Sequence, residues 1–228
     1  MTRVITCHQL HYPIVIYIYC GNEFLKNEMA KKEEKKVIII AMKGHPGTGK
    51  STIAQSLASL LKIPLLDKDD VRDSTSPLQA QHTSSSKLLN DLSYDVVFRM
   101  ATTQLRLGLS VVVDSPLSRR SHLDRLLHMG SSTGAGLVVI ECKPKDEAEW
   151  RRRLERRGAR DGGGDGWHKP ATWSDLERLL EGYGGCTEYD FGDVPRLVVD
   201  TTASVPVGDL VSSVVDFISS HAGGSFLL

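Results

Sequence analysis

The sequence predicts a three-layer α/β domain built on a five-stranded parallel sheet. Three observations carry this. Short apolar runs rich in Val, Ile and Leu alternate with amphipathic helical patterns along the chain. Runs so short and so uniformly apolar suit strands buried on both faces. A glycine-rich turn, Gly44 to Gly49, separates the first such run from the helix pattern that follows it. Strand, glycine loop and helix in that order make a cradle for anions.

In chain order, strands are expected at 37–42, 64–66, 110–113, 137–140 and 197–199. Helices are expected at 51–61, 87–107, 121–129, 146–157, 173–183 and 207–219. In the long helix, Leu89, Leu92, Val96 and Met100 stand at helical spacing and read as its core stripe. Alternation of this kind implies right-handed crossovers, with ligands at the carboxyl ends of the strands. Residues 158–170 carry so many glycines that a mobile loop without regular structure is expected there.

At 228 residues the chain suits one domain of ordinary size. Lys plus Arg and Asp plus Glu number 28 each, so no global charge demands nucleic acid as a partner. Cys7, Cys20, Cys142 and Cys186 are scattered, without the C-x-x-C spacing of a zinc site or a redox pair. A reducing, cytoplasmic setting and no membrane span are expected. Residues 1–33 read as a disordered or appended extension and 34–228 as the compact domain. Within the extension, the run from Pro13 to Tyr19 can be an extra edge strand; it lacks the flanks of a signal peptide.

The chemistry starts at Gly44-His45-Pro46-Gly47-Thr48-Gly49-Lys50-Ser51-Thr52, which fits G-x-x-x-x-G-K-[ST] at every required position. All nine residues are expected to bind a nucleotide. Gly44, Gly47 and Gly49 let the backbone aim successive N–H groups at phosphate oxygens. Lys50 can reach the β- and γ-phosphates of ATP, and the Ser51 hydroxyl can ligate Mg²⁺.

Further polar groups stand where later strands end. Asp67-Lys68-Asp69-Asp70-Val71-Arg72 follows the second strand. A carboxylate there can accept the proton of an attacking hydroxyl, although Asp69 or Asp70 can equally cap a helix. The donor fork of Arg72 suits an anionic group on the acceptor. Asp114 closes the third strand, where it can hold the Mg²⁺ shell or position the acceptor. Ser118, Arg119 and Arg120 can serve the same pocket or face solvent. Six arginines lie between Arg151 and Arg160. On a helix Arg153 and Arg157 share one face, suited to an arginine-rich lid that neutralises a phosphoryl group in flight.

Together these residues resemble the P-loop kinase branch that includes polynucleotide 5′-kinases, gluconate kinase-like enzymes, chloramphenicol phosphotransferase and zeta-type toxins. The resemblance covers roughly residues 36–202. It implies the three-layer P-loop NTPase fold with an arginine-rich helical lid at about 146–185. Asp69-Asp70-Val71-Arg72 resembles the D-D-x-R element of polynucleotide kinases, which implies Asp69 as general base and Arg72 as acceptor ligand. The resemblance further implies that Arg153 and Arg157 contact the ATP phosphates. Asp114-Ser115-Pro116-Leu117 stands where that branch often carries D-T-N.

The function expected is Mg²⁺-dependent transfer of the ATP γ-phosphoryl group to a hydroxyl. The acceptor is a small molecule, a nucleotide or a nucleic-acid 5′ end, and neutrality favours the small molecule. The alternative is a P-loop NTPase acting as a regulatory nucleotide switch or binding module. A guanine-reading N-K-x-D motif is missing from the sequence.

Overall fold

A computed structural model describes residues 3–6, 15–18, 36–75, 77–78, 86–161 and 169–222. The chain divides into two compact units, Met1–Lys35 and Lys36–Leu228. In the first, β1 (Arg3–Thr6) pairs antiparallel with β2 (Val15–Ile18). The run around 13–19 does hold a strand, but its partner is β1 and not the edge of the larger sheet.

The second unit alternates strand and helix as expected. Its elements are β3 (Ile38–Lys43), α1 (Lys50–Leu61), β4 (Leu65–Asp67), α2 (Lys68–Ser74), α3 (Ser86–Arg106), β5 (Val111–Asp114) and α4 (Arg120–Thr133). They continue as β6 (Gly136–Cys142), α5 (Glu147–Asp161), α6 (Trp173–Tyr183), β7 (Arg196–Val199) and α7 (Val207–Ala222). The five strands lie in the order β4-β5-β3-β6-β7, and every pairing is parallel.

The central strand shows how the layers arise. Side chains alternate across a strand, and all six residues of β3 are buried. Ile38, Ile40 and Met42 pack with Ile53, Ala54 and Leu57 of α1 and with Val211, Val214 and Ile218 of α7. Ile39 and Ala41 pack on the other side with Tyr94, Val97 and Phe98 of α3 and with Leu123 and Leu126 of α4. Two helical layers therefore enclose one sheet. At the carboxyl end of β3, Lys43 is buried against its register partner Glu141, Nζ to Oε1 2.8 Å.

Two expectations need correction. The core stripe of α3 is Leu89, Ser93, Tyr94, Val97, Phe98, Ala101 and Leu105, whereas Leu92 and Met100 are exposed. The aromatic rings of Tyr94 and Phe98, paired at 5.9 Å, offer more area to bury than the aliphatic series does, so they set the helix rotation. Second, residues 158–161 are helical and complete α5. Residues 162–168 of the expected loop lie outside those described. Gly158 has a packing reason to be glycine: a Cβ there would lie 2.2 Å from the Ala171 carbonyl oxygen, where the chain crosses back over the helix.

α5 and α6 form an arm with a small core of their own, Leu154, Trp173 and Leu176. Among the described residues no helix is long and apolar enough to cross a membrane.

Candidate active site

The loop between β3 and α1 is built as the sequence implies. Gly47 and Gly49 have φ of 79° and 83°, in the left-handed region that glycine adopts without strain. A Cβ on Gly47 would meet Leu154 at 3.1 Å and the Trp150 indole nitrogen at 3.2 Å. The arm therefore packs directly on the loop. Trp150 Nε1 donates to the Pro46 carbonyl at 2.9 Å. The His45 ring lies 6.3 Å from each of the Trp150 and Tyr183 rings. Burial, with the Lys43 charge, lowers the His45 pKa. Thr201, just past β7, closes the other side, its hydroxyl donating to the Thr48 carbonyl at 2.6 Å.

Beneath the loop, Lys50 Nζ lies 2.5 Å from Asp114 Oδ1, and the Asp114 side chain is fully buried. Burial disfavours the charge on Lys50. The Asp114 carboxylate outweighs it, with Asp69 and Asp67 adding to the same end, so the Lys50 pKa is raised. Asp67 ends β4 directly opposite Asp114 at the end of β5. It also caps α2, accepting from the Asp69 N–H at 2.8 Å. The cap is thus Asp67, not Asp69 or Asp70. Burial, together with the Asp114 charge, pushes Asp67 up to about 6.

Lys50 and Asp67 line one cleft of about 670 Å³, and Asp114 lies buried behind Lys50, outside the wall of that cleft. Its walls include the whole loop with Lys50, Ser51 and Thr52, then Asp67, Asp69, Arg153 and Arg157. The structure thus brings together most of the residues singled out from the sequence. Asp69 faces the cleft between two ammonium groups, Lys68 at 3.2 Å and Lys169 at 3.3 Å. Asp70 is exposed and does not line the cleft. Arg153 donates to Glu149 at 2.6 Å and to the Thr201 carbonyl at 2.8 Å, tying the arm to the loop after β7. Arg157 donates to the Pro170 carbonyl at 3.0 Å.

Arg72 lies elsewhere. Its guanidinium is buried where α2 meets α3, donating to Thr75 Oγ1 at 3.0 Å and to Ser86 Oγ at 3.3 Å, and it is not part of the cleft wall. Arg119 and Arg120 are exposed, and Arg120 is engaged by Asp124. The sequence reading counted Arg156 and Arg160 in the arginine cluster without singling them out, and it missed Glu149 and Lys169; all four line the cleft. Helical periodicity from Arg153 and Arg157 would have found Arg156 and Arg160. Nothing local marks Lys169.

The residues present fit a magnesium ion carried in with a nucleotide. Asp114 Oδ2 is buried without a hydrogen-bond partner among the described residues. The described residues hold no cluster of three or more His, Cys, Asp or Glu for a metal. A cation carried in with a nucleotide takes most of its ligands from phosphates and water and needs only one or two protein oxygens. Ser51 and Asp114 would supply those oxygens.

Fold, loop and cleft together define a P-loop α/β protein with an arginine-bearing arm. The chain belongs to the AAA domain family, whose profile matches residues 39–177. Similar folds are found in a candidate kinase from Chloroflexus aurantiacus (23% identity, TM-score 0.66, covering 82% of this chain and 98% of that one). A gluconokinase from Sinorhizobium meliloti is similar at 21% identity and TM-score 0.53, covering 82% of this chain and 94% of its own. An APS kinase from Mycobacterium tuberculosis, solved with AMPPNP and APS, is similar at 18% identity and TM-score 0.53, covering 81% of this chain and 98% of its own. A comparison with curated proteins finds no match.

Proposed function

We propose that the protein is an ATP-dependent phosphotransferase acting on the hydroxyl of a small molecule. One observation carries this reading: a single cleft joins a phosphate cradle, a carboxylate beside it, and four arginines of a covering arm. A simple nucleotide-binding module needs the first of these. Group transfer needs all three.

In this reading the loop N–H groups, the N-terminus of α1 and Lys50 bind the ATP phosphates. Asp69 accepts the proton of the acceptor hydroxyl. The acceptor oxygen bonds to the γ-phosphorus as the bond to the β–γ bridging oxygen breaks, and ADP leaves. Arg153, Arg156, Arg157 and Arg160 neutralise charge on the oxygens of the phosphoryl group in flight. Ser51 and Asp114 would hold a magnesium ion brought in with the nucleotide, which would add positive charge against the phosphates. The arm acts as a lid that keeps water from taking the acceptor's place. Arg72, inside the α2–α3 contact, holds the base-bearing helix in place and does not itself touch the acceptor. The balance of charge favours a small acceptor over a nucleic-acid end.

ATP consumption measured with and without a pooled metabolite extract tests this. Turnover that is slow alone and rises sharply with the extract is expected. Turnover indifferent to every acceptor, and raised only by a protein partner, would contradict it.

A further inference from the structure

Two ammonium groups hold the Asp69 carboxylate, and they come from different parts of the chain. Lys68, the neighbouring residue on α2, lies 3.2 Å from Oδ1. It is buried, donates to Asn90 Oδ1 at 3.2 Å and stands over the Tyr94 ring at 5.6 Å. Its place is set by α3. Lys169 lies 3.3 Å from Oδ2 of Asp69 and 3.4 Å from Oδ2 of Asp73. It belongs to the arm, just ahead of α6.

Asp69 and Asp73 stand four residues apart on α2, a like-charge spacing that a helix alone disfavours. The Lys169 ammonium between them turns that repulsion into a two-sided attraction. Burial opposes its charge, but Asp69 and Asp73 outweigh burial and raise its pKa.

The segment carrying Lys169 is fixed at three points. Arg157 Nη2 holds the Pro170 carbonyl. Ala171 crosses α5 at Gly158, where a Cβ would collide with it. Thr172 caps α6 in a reciprocal box with Asp175. Lys169 therefore moves with the arm.

We infer that Lys169 is a positioning residue for phosphoryl transfer: with the arm over the phosphate loop, its ammonium clamps Asp69 against Lys68 and sets the direction in which that carboxylate meets the acceptor hydroxyl. The inference rests on the kinase reading above. It makes the base fully aligned only when the arm covers the cleft, which couples proton removal to exclusion of water.

The test compares the full chain with its Lys169→Ala, Lys169→Arg and Asp73→Asn variants. The readouts are label transfer from γ-labelled ATP to a pooled metabolite extract, and ATP affinity from tryptophan fluorescence. Trp150 and Trp173 stand in α5 and α6, so that signal reports on the arm. Lys169→Ala is expected to lower the transfer rate about tenfold or more. Its ATP dissociation constant is expected to stay within about twofold of the unaltered chain. Lys169→Arg should restore most of the rate, since a guanidinium can still bridge both carboxylates. Asp73→Asn should show a smaller loss. Transfer by Lys169→Ala at the unaltered rate would overturn the inference alone. So would a loss of rate matched by an equal loss of ATP affinity, or no recovery with arginine. An unaltered chain that transfers to no acceptor would overturn the kinase reading, and this inference with it.

Discussion

Asp67 and Asp114 end two neighbouring parallel strands in direct register, so the fold forces two carboxylates together, Asp67 on the cleft wall and Asp114 buried. Lys50 is bonded to one of them at 2.5 Å. Burial and the Asp114 charge leave Asp67 at about 6. An acid whose folded pKa exceeds its unfolded value stabilises the fold fully below about pH 4, and that contribution is lost as pH rises through about 6. Asp67→Asn removes the titration and keeps an acceptor for the helix cap. It is expected to stabilise the protein by about 1–3 kcal/mol at neutral pH, with the gain shrinking toward about pH 4. Thermal melts across that range decide it; a gain independent of pH would contradict the account.

Lys50→Ala is expected to abolish turnover and strip most of the triphosphate affinity. It should also unsettle the fold, because Asp114 is then buried without its cation, a loss of about 3–5 kcal/mol. Lys50→Met combined with Asp114→Leu should recover stability and leave turnover absent. Denaturant melts and ATP titration on the same samples separate the two effects. Normal kinetics in Lys50→Ala would refute the phosphate-loop assignment.

Asp69 and Asp70 offer a paired comparison. Asp69 lines the cleft and Asp70 is exposed. Asp69→Asn should retain ATP binding and lose about 10²–10⁴ in transfer rate. Asp70→Asn should stay close to the unaltered rate. The reverse pattern would move the base by one residue.

Trp150 joins the arm to the loop through one N–H donor. Trp150→Phe keeps an aromatic ring and removes the donor, so a stability loss of about 0.5–1.5 kcal/mol is expected. ATP affinity should weaken as well, since the Pro46 carbonyl is no longer held. Affinity unchanged by this substitution would mean that the arm does not shape the loop.

Much of this was legible in the sequence, for identifiable reasons. The phosphate loop is contiguous, and the demands of its backbone are local, so its residue types announce it. Strands β3 and β5 are buried on both faces and read as apolar runs. The rotation of α3 was misjudged because aliphatic spacing was weighed without the bulk of Tyr94 and Phe98. The Asp67–Asp114 relation depends on strand order, which no local pattern encodes. The same holds for Lys169, which reaches Asp69 and Asp73 from a part of the chain about a hundred residues away. Gly158 looked like part of a loop, and only the crossing of Ala171 shows it to be a packing requirement inside a helix. Arg72 carried the right chemistry for an acceptor ligand, but its burial against α3 follows from helix packing that the motif does not contain.

The most direct measurement follows the label from γ-labelled ATP in the presence of Mg²⁺, with a pooled metabolite extract and 5′-hydroxyl oligonucleotides offered in parallel. The account predicts label on a small molecule, absent with Lys50→Ala and with Asp69→Asn. Label appearing only as free phosphate, whatever acceptor is offered, would contradict it.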